Sequence, residues 1–211
     1  MSSSRFDQAA ATWDEQPVRI ALAKAIAQTI RTQVPISPTM TALDYGCGTG
    51  LVTLALQPHV QRIIGVDSSP GMLAKLQEKM QALGITNVET LLLDLATQPS
   101  PSDLHADLIV SAMALHHIAD LPHLLQTLTG LLTPGGYLAL ADLDAEDGSF
   151  HTDMTGVHHL GIDRAWLIAQ LSALGFQDVT ATTAHVVERP DETGISRRYP
   201  VFLVSGHRVG G

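Results

Sequence analysis

The sequence predicts an α/β domain, a doubly wound and mostly parallel sheet of seven strands that ends in an antiparallel hairpin. Three observations lead there. Short apolar runs alternate with helical patterns along the chain. The runs read through as apolar, as strands buried on both faces of a parallel sheet do. The last two runs have no crossover helix between them, so they must pair antiparallel. With 211 residues, 45% of them apolar, the chain can form one full core. A single unit is expected, with residues 1–36 as an N-terminal lid and helix and residues 37–208 as the main domain.

The elements follow in order. A helix over Val18–Val34 is closed off by Pro35 and Pro38. The first strand, Thr41–Tyr45, runs into glycines, and a helix opens near Leu51. Strands are predicted at Arg62–Asp67, Val88–Asp94, Ala106–Ser111 and Tyr137–Ala141. Pro70–Leu83 reads as a helix with Ser69 as cap, Pro70 at the first position and Gly84 after its end. Its Leu73, Leu76, Met80 and Leu83 share one face. Leu121–Leu132 and Asp163–Leu174 are further helices, stopped by Pro134-Gly135 and by Gly175. Val179–Val187 and Val201–Ser205 form the hairpin, and Val209-Gly210-Gly211 is expected to be loose. Leu121–Ala141 is uncharged over 21 positions, but Pro122, His123, Gln126 and Pro134-Gly135-Gly136 interrupt it. It therefore reads as helix, turn and buried strand, and no membrane span is expected.

Composition narrows the partners. Asp and Glu outnumber Lys and Arg by 21 to 12, a net charge of −9, and no basic patch stands out. Such a chain repels phosphate backbones, and nine aromatics are too few for a base-stacking platform. Cys47, the one cysteine, allows neither an internal disulfide nor a Cys-rich zinc site. The N-terminus lacks the apolar core of a signal peptide. A cytoplasmic protein, monomer or homodimer, is the expectation.

The strongest motif is Leu43-Asp44-Tyr45-Gly46-Cys47-Gly48-Thr49-Gly50, between the first strand and its helix. Alternate glycines let the chain turn tightly and let a ligand approach the backbone. Asp67 ends the second strand 21 residues after Gly46, where a carboxylate can accept both hydroxyls of a ribose. Loop plus acid points to an adenosine-containing ligand. The third glycine stands at Gly50 rather than at Leu51, which departs from the dinucleotide spacing, and no Gly-Lys-Ser/Thr follows to make a Walker loop.

Leu43–Gly50 resembles motif I of the class I S-adenosylmethionine-dependent methyltransferases, and Asp67 matches that family's ribose-binding acid. Leu93-Asp94-Leu95 resembles its adenine-facing segment, and Ser111–His117 the segment beside the methionine moiety. Leu132–Gly136 is similar to the turn before the fifth strand. Phe6-Asp7, Ala10 and Trp13-Asp14 resemble the lid of the UbiE-like small-molecule methyltransferases. The resemblance implies a Rossmann-like methyltransferase fold and S-adenosylmethionine as methyl donor, with S-adenosylhomocysteine as product and a small-molecule acceptor. It assigns cofactor contacts to Asp44, Gly46, Cys47, Gly48, Gly50, Asp67, Ser68, Met72, Asp94, Leu95 and Ser111.

The acceptor is expected above the strand ends, near Trp13, Arg19, Asp142 and His159. Residues 142–161 hold five acids and three histidines. Acids above a sulfonium would hold its charge, and His116, His151 or His158 would take a proton from the acceptor. Of these, His116 is the first choice, and His117 is expected to point away. The same stretch also reads as an ordinary polar loop. No metal is expected, because the histidines lack zinc-finger or His-x-x-x-His spacing. The Asn-Pro-Pro-Tyr type signature of nucleic-acid amino methylators is absent. Two alternatives stand beside the methyltransferase: a non-catalytic S-adenosylmethionine-binding regulator, and a nicotinamide-dependent oxidoreductase. The Gly50 spacing and the lack of a Tyr-x-x-x-Lys pair disfavour the second.

Overall fold

The computed structural model describes residues 3–190 and 195–209. An N-terminal strap comes first, α1 (Ser3–Ala9) and a 3-10 segment (Ala10–Glu15), followed by α2 (Pro17–Gln33). The sheet strands are β1 (Thr41–Tyr45), β2 (Arg62–Asp67), β3 (Val88–Leu92), β4 (Ala106–Ala112), β5 (Leu132–Leu143), β6 (Phe176–Pro190) and β7 (Ser196–Arg208). The remaining helices are α3 (Leu51–Leu56), α4 (Pro70–Leu83), α5 (Leu121–Leu131) and α6 (Arg164–Ala173). The sheet order is β3-β2-β1-β4-β5-β7-β6. The first five strands are parallel, and β7 runs antiparallel to both β5 and β6. The sequence-predicted doubly wound sheet with its terminal hairpin is therefore the observed one.

Helices cover both faces, and each face has its own core. One contains Ile26 and Ile30 of α2, Leu56 of α3 and Leu76 of α4 over Ile63, Leu108 and Val201. The other packs Leu124 and Leu128 of α5 and Leu171 of α6 on Leu43, Ile109, Leu140 and Phe202. Adjacent residues of one strand thus point into different cores, which is why the central strands carry no polar alternation. The edge strands depart from that expectation. In β3 only Val88 is fully buried and Leu92 is 57% exposed, and β6 is exposed or half-buried everywhere but Phe176 and Val187. An edge strand has no neighbour on one side and is incompletely covered by helices.

Local signals explain the boundaries. Ser69 Oγ accepts the Met72 amide at the start of α4, and Gly84 closes that helix at φ +65°. Asp120 and Asp163 cap α5 and α6 in the same way, through the amides of His123 and Trp166. The predicted turn at Pro134-Gly135-Gly136 lies within β5 as a bulge, between Leu132 paired to Ala106 and Tyr137 paired to Leu108.

The acid-rich stretch after β5 is structural. Asp144 receives a two-pronged ion pair from Arg164, at 2.5 and 2.6 Å. Asp147 pairs with Arg197 at 2.7 Å, and Glu146 accepts the amides of Gly148 and Phe150. The expectation that these acids lie together above a sulfonium is corrected for these three, which are held by arginines and loop amides instead.

Gly161 secures the far end of this loop at φ +72°, where an added Cβ would overlap the Asp144 carbonyl. Gly84 also has positive φ, but open space around it. Gly161→Ala is therefore expected to lower unfolding free energy by about 2–4 kcal/mol, and Gly84→Ala by about 1–2 kcal/mol. Urea denaturation of the two variants checks the difference, and equal losses would mean that the Gly161 turn can relax.

Candidate functional site

A cavity of about 480 Å³ opens over the carboxyl ends of β1, β2 and β4. Its floor is the β1–α3 loop, its roof the strap and the start of α2, and one side is closed by residues 150–152 and 187–189. Open parallel sheets place ligands at this edge, where neighbouring crossovers leave on opposite faces.

The glycine loop is shaped by its three left-handed residues, Gly46, Gly48 and Gly50, at φ +70°, +55° and +80°. Gly46 also faces Ala114 so closely that a Cβ would stand 2.5 Å from that methyl. An added Cβ at Gly48 would meet no atom within 4 Å, so its backbone lies open to the cavity. Asp67 binds the loop to the next helix, with Oδ2 accepting the Gly48 amide and Oδ1 the Ser69 amide, each at 2.8 Å. Burial raises the Asp67 pKa against the lowering effect of these amides. Asp44 is buried beneath the loop and accepts Thr53 Oγ1 at 2.6 Å. Burial pushes its pKa up to about 7 despite that bond.

The strap is tied to the same elements. Asp7 Oδ1 accepts Ser69 Oγ at 2.6 Å and the Gly71 amide at 2.9 Å. Asp14 accepts Thr49 Oγ1 at 2.6 Å and pairs with Lys79 at 2.7 Å. Asp7 and Asp14 fell within the sequence-level lid motif, but their partners lie 35 to 65 positions away, and nothing local signals them.

Three imidazoles form the opposite wall. His116 is 2% exposed, and its Nδ1 stands 2.6 Å from Asp142 Oδ1. Asp142 also accepts the amides of His116 and Leu143. Burial works to raise the Asp142 pKa, but His116 and these bonds outweigh it and hold the carboxylate below its usual range. An ionised carboxylate only accepts, so Nδ1 carries the proton and Nε2 is left as the free ring nitrogen. His117 and His151 also line the cavity, with ring centroids 4.1 and 4.9 Å from His116. Burial and the neighbouring His116 lower both to about 4, so both are neutral at pH 7. The expectation that His117 points away is corrected. Leu115–His117 is a 3-10 turn, whose side chains do not alternate as they do in a strand.

Other sequence-assigned residues distribute as follows. Trp13, Arg19, Cys47 and Met72 line the cavity with Asp44, Gly46, Gly48 and Asp67. Gly50, Ser68, Asp94, Leu95, Ser111 and Asp142 are not among its lining residues. Leu95 is fully buried, Asp94 accepts the Ala96 amide, and Ser111 Oγ donates to the Tyr45 carbonyl. His158 and His159 are also outside the cavity wall, and both their amides donate to the His116 carbonyl. His158 is exposed, and His159 Nε2 donates to the Ile118 carbonyl. Phe150 and Arg189, which line the wall, were not singled out from the sequence.

Residues 42–136 match the family model described as a methyltransferase domain. The matched segment runs from β1 into the start of β5, and the sheet as a whole has the Rossmann-like methyltransferase fold. An uncharacterised methyltransferase of Schizosaccharomyces pombe is 34% identical over 135 residues, 58% of this chain and 48% of that protein. A trans-aconitate 2-methyltransferase of Variovorax paradoxus is 32% identical over 133 residues, 62% of this chain and 49% of that protein. The chain thus spans about half the length of these curated relatives. A SAM-dependent methyltransferase from Aquifex aeolicus shares the fold at a TM-score of 0.69 and 22% identity, covering 99% of this chain and all of that one. That Aquifex protein is described as SAM dependent, and the open glycine backbone beside the acids Asp44 and Asp67 fits such a cofactor. Among the described residues no helix is long and apolar enough to cross a membrane.

Asp67→Asn replaces one acceptor oxygen with a donor and puts the Gly48 or Ser69 amide bond at risk. S-adenosylhomocysteine affinity is expected to fall about 10- to 100-fold by calorimetry, the loss of one or two charge-assisted bonds. Unchanged affinity would restrict Asp67 to shaping the loop.

Proposed function

We propose that the chain methylates a small-molecule acceptor, with His116 as the general base and Asp142 as the residue that positions it. One observation carries this reading: a buried carboxylate fixes the imidazole of His116 at the wall of the cavity that holds the family's cofactor site. S-adenosylmethionine supplies a methyl group already activated by its sulfonium. Positioning and exclusion of water then provide much of the rate. The roof of Phe6, Trp13 and α2 closes over the site and leaves room for a compact acceptor. A relative named for trans-aconitate fits a small-molecule acceptor. The acidic surface fits poorly with nucleic acid, and we place the chain in the cytoplasm as a monomer or homodimer.

In this reading Asp67 accepts the ribose hydroxyls, and Asp44 faces the positive amino-acid end of the cofactor. His116 Nε2 takes the acceptor's proton as the methyl group is transferred, and Asp142 stabilises the imidazolium that forms. His151 borders the acceptor space, and His158 serves the loop fold. The non-catalytic regulator has no specific observation in its favour, since a sensor needs no carboxylate-fixed histidine beside its cofactor.

His116→Ala is expected to lower kcat about 10²- to 10⁴-fold, with S-adenosylhomocysteine affinity nearly unchanged. Asp142→Asn should lower kcat with the same pattern and change the pH–rate profile, because the amide no longer fixes the Nδ1–H tautomer. Normal turnover in both variants would remove the dyad from the reaction.

Asp44 generates a pH prediction. Its folded pKa of about 7 exceeds the unfolded 3.8, so its contribution to stability is complete below the unfolded value and is lost as pH rises through about 7. A bound cation favours the ionised form, so S-adenosylmethionine affinity should rise between about pH 6 and pH 8. His117 and His151, at about 4, do not titrate in this window. Asp44→Asn should flatten the dependence in calorimetric titrations, and an unaltered slope would assign it to another group.

A further inference from the structure

The cavity is electrically two-sided. Asp44 and Asp67 stand at the glycine-loop end, suited to a cationic cofactor. The acceptor side carries guanidinium groups from three separate elements: Arg5 of α1, Arg19 of α2 and Arg189 of β6. The chain has only 12 lysines and arginines against 21 acids, so three arginines lining one cavity run against the charge of the whole molecule.

Arg19 and Arg189 are held in place but are not neutralised. Arg19 lies 3.7 Å over the Trp13 ring and donates to the Trp13 carbonyl. Arg189 lies 4.5 Å over Phe150 and 5.2 Å from Tyr199, and donates to the Ser149 carbonyl. Among the described residues neither forms an ion pair, whereas Arg5 pairs with Asp153 at 3.4 Å. Glu188, the third acid in the lining, pairs with Arg198 at 3.1 Å. A guanidinium has five N–H donors in a planar fork, so most donors of Arg19 and Arg189 are left for a ligand. Aromatic stacking fixes their planes in advance, which reduces the entropy lost on binding. Part-burial lowers the Arg19 pKa, and the charge of Asp14, itself paired with Lys79, offsets this only in part.

Arg19 in the roof and Arg189 on the side come from adjoining elements, because α2 packs against β6. Phe150, under Arg189, is 4.9 Å from the His151 ring, which is itself 4.9 Å from His116. His151 Nε2 is buried with no partner among the described residues. Between arginines and histidines the wall is apolar, with Phe6, Val18, Leu22 and Val187. We propose that the acceptor is a small organic anion with an apolar body, whose carboxylate or phosphate is held by Arg19 and Arg189 while its nucleophilic atom reaches His116. A cation would be repelled by these groups, and a neutral acceptor would leave two half-buried guanidiniums unmatched.

This inference rests on the methyltransferase reading, so the experiment tests both separately. Calorimetry first measures S-adenosylhomocysteine binding to the wild-type chain. The protein saturated with that ligand is then titrated with matched sets: benzoate, benzamide and benzylamine; hexanoate, hexanamide and hexylamine; hexyl phosphate and hexanol. In at least one set the anion is expected to bind ten times or more tightly than its neutral and cationic counterparts. Arg19→Gln and Arg189→Gln should each remove most of that preference. S-adenosylhomocysteine affinity and the melting temperature of each variant serve as fold controls. Comparing hexanoate with hexyl phosphate separates a carboxylate from a phosphate head group. The proposal is overturned if no anion outbinds its neutral counterpart, or if both variants keep the wild-type preference. Failure of the wild-type chain to bind S-adenosylhomocysteine would instead overturn the methyltransferase reading.

Discussion

The Asp67 carboxylate is the constraint on which the site depends. Its two oxygens take amides from two different connections, Gly48 of the β1–α3 loop and Ser69 at the start of α4. The loop therefore cannot move without α4. Ser69 extends the tie through its hydroxyl to Asp7, and Thr49 in the loop donates to Asp14. Floor and roof of the cavity thus form one hydrogen-bonded assembly, with a partly buried carboxylate at its centre. Carboxylates that accept backbone amides are stable in such places, and each oxygen retains capacity for a ligand hydroxyl.

The second half of the site has a similar construction. Asp142 lies at the end of β5 and takes amides from the post-β4 turn and from its own strand, so His116 is fixed by sheet register rather than by a loop. The carbonyl of His116 in turn receives the amides of His158 and His159, which anchors the polar loop behind the imidazole. The two halves meet where Ala114 packs on Gly46, a contact that only glycine allows. Rigid elements thus set the distance between the cofactor loop and the histidine wall, as precise positioning requires.

Much of this was legible in the sequence wherever the signal is local. β1, β2 and α4 have the predicted bounds, because glycine, proline and a serine cap mark their ends. The hairpin followed from the missing crossover. Side-chain partners were less legible. Asp144 meets Arg164 and Asp147 meets Arg197, 20 and 50 positions on, so an acidic run that looked like one site proved to be several unrelated contacts. His116 was singled out, and Asp142 was assigned to the acceptor region, but no spacing rule joins a residue of the turn after β4 to one 26 positions on in β5. Arg189 lies on an edge strand whose uneven burial follows no period that marks which residues reach the cavity.

A diffraction structure of crystals grown with S-adenosylhomocysteine tests the central claim most directly, because one map shows both halves of the site. The ligand is expected in the cavity over the strand ends, with its ribose hydroxyls on Asp67 and its sulfur facing the space bounded by His116. A ligand bound elsewhere, or one whose sulfur faces away from the His116–Asp142 pair, would contradict the account.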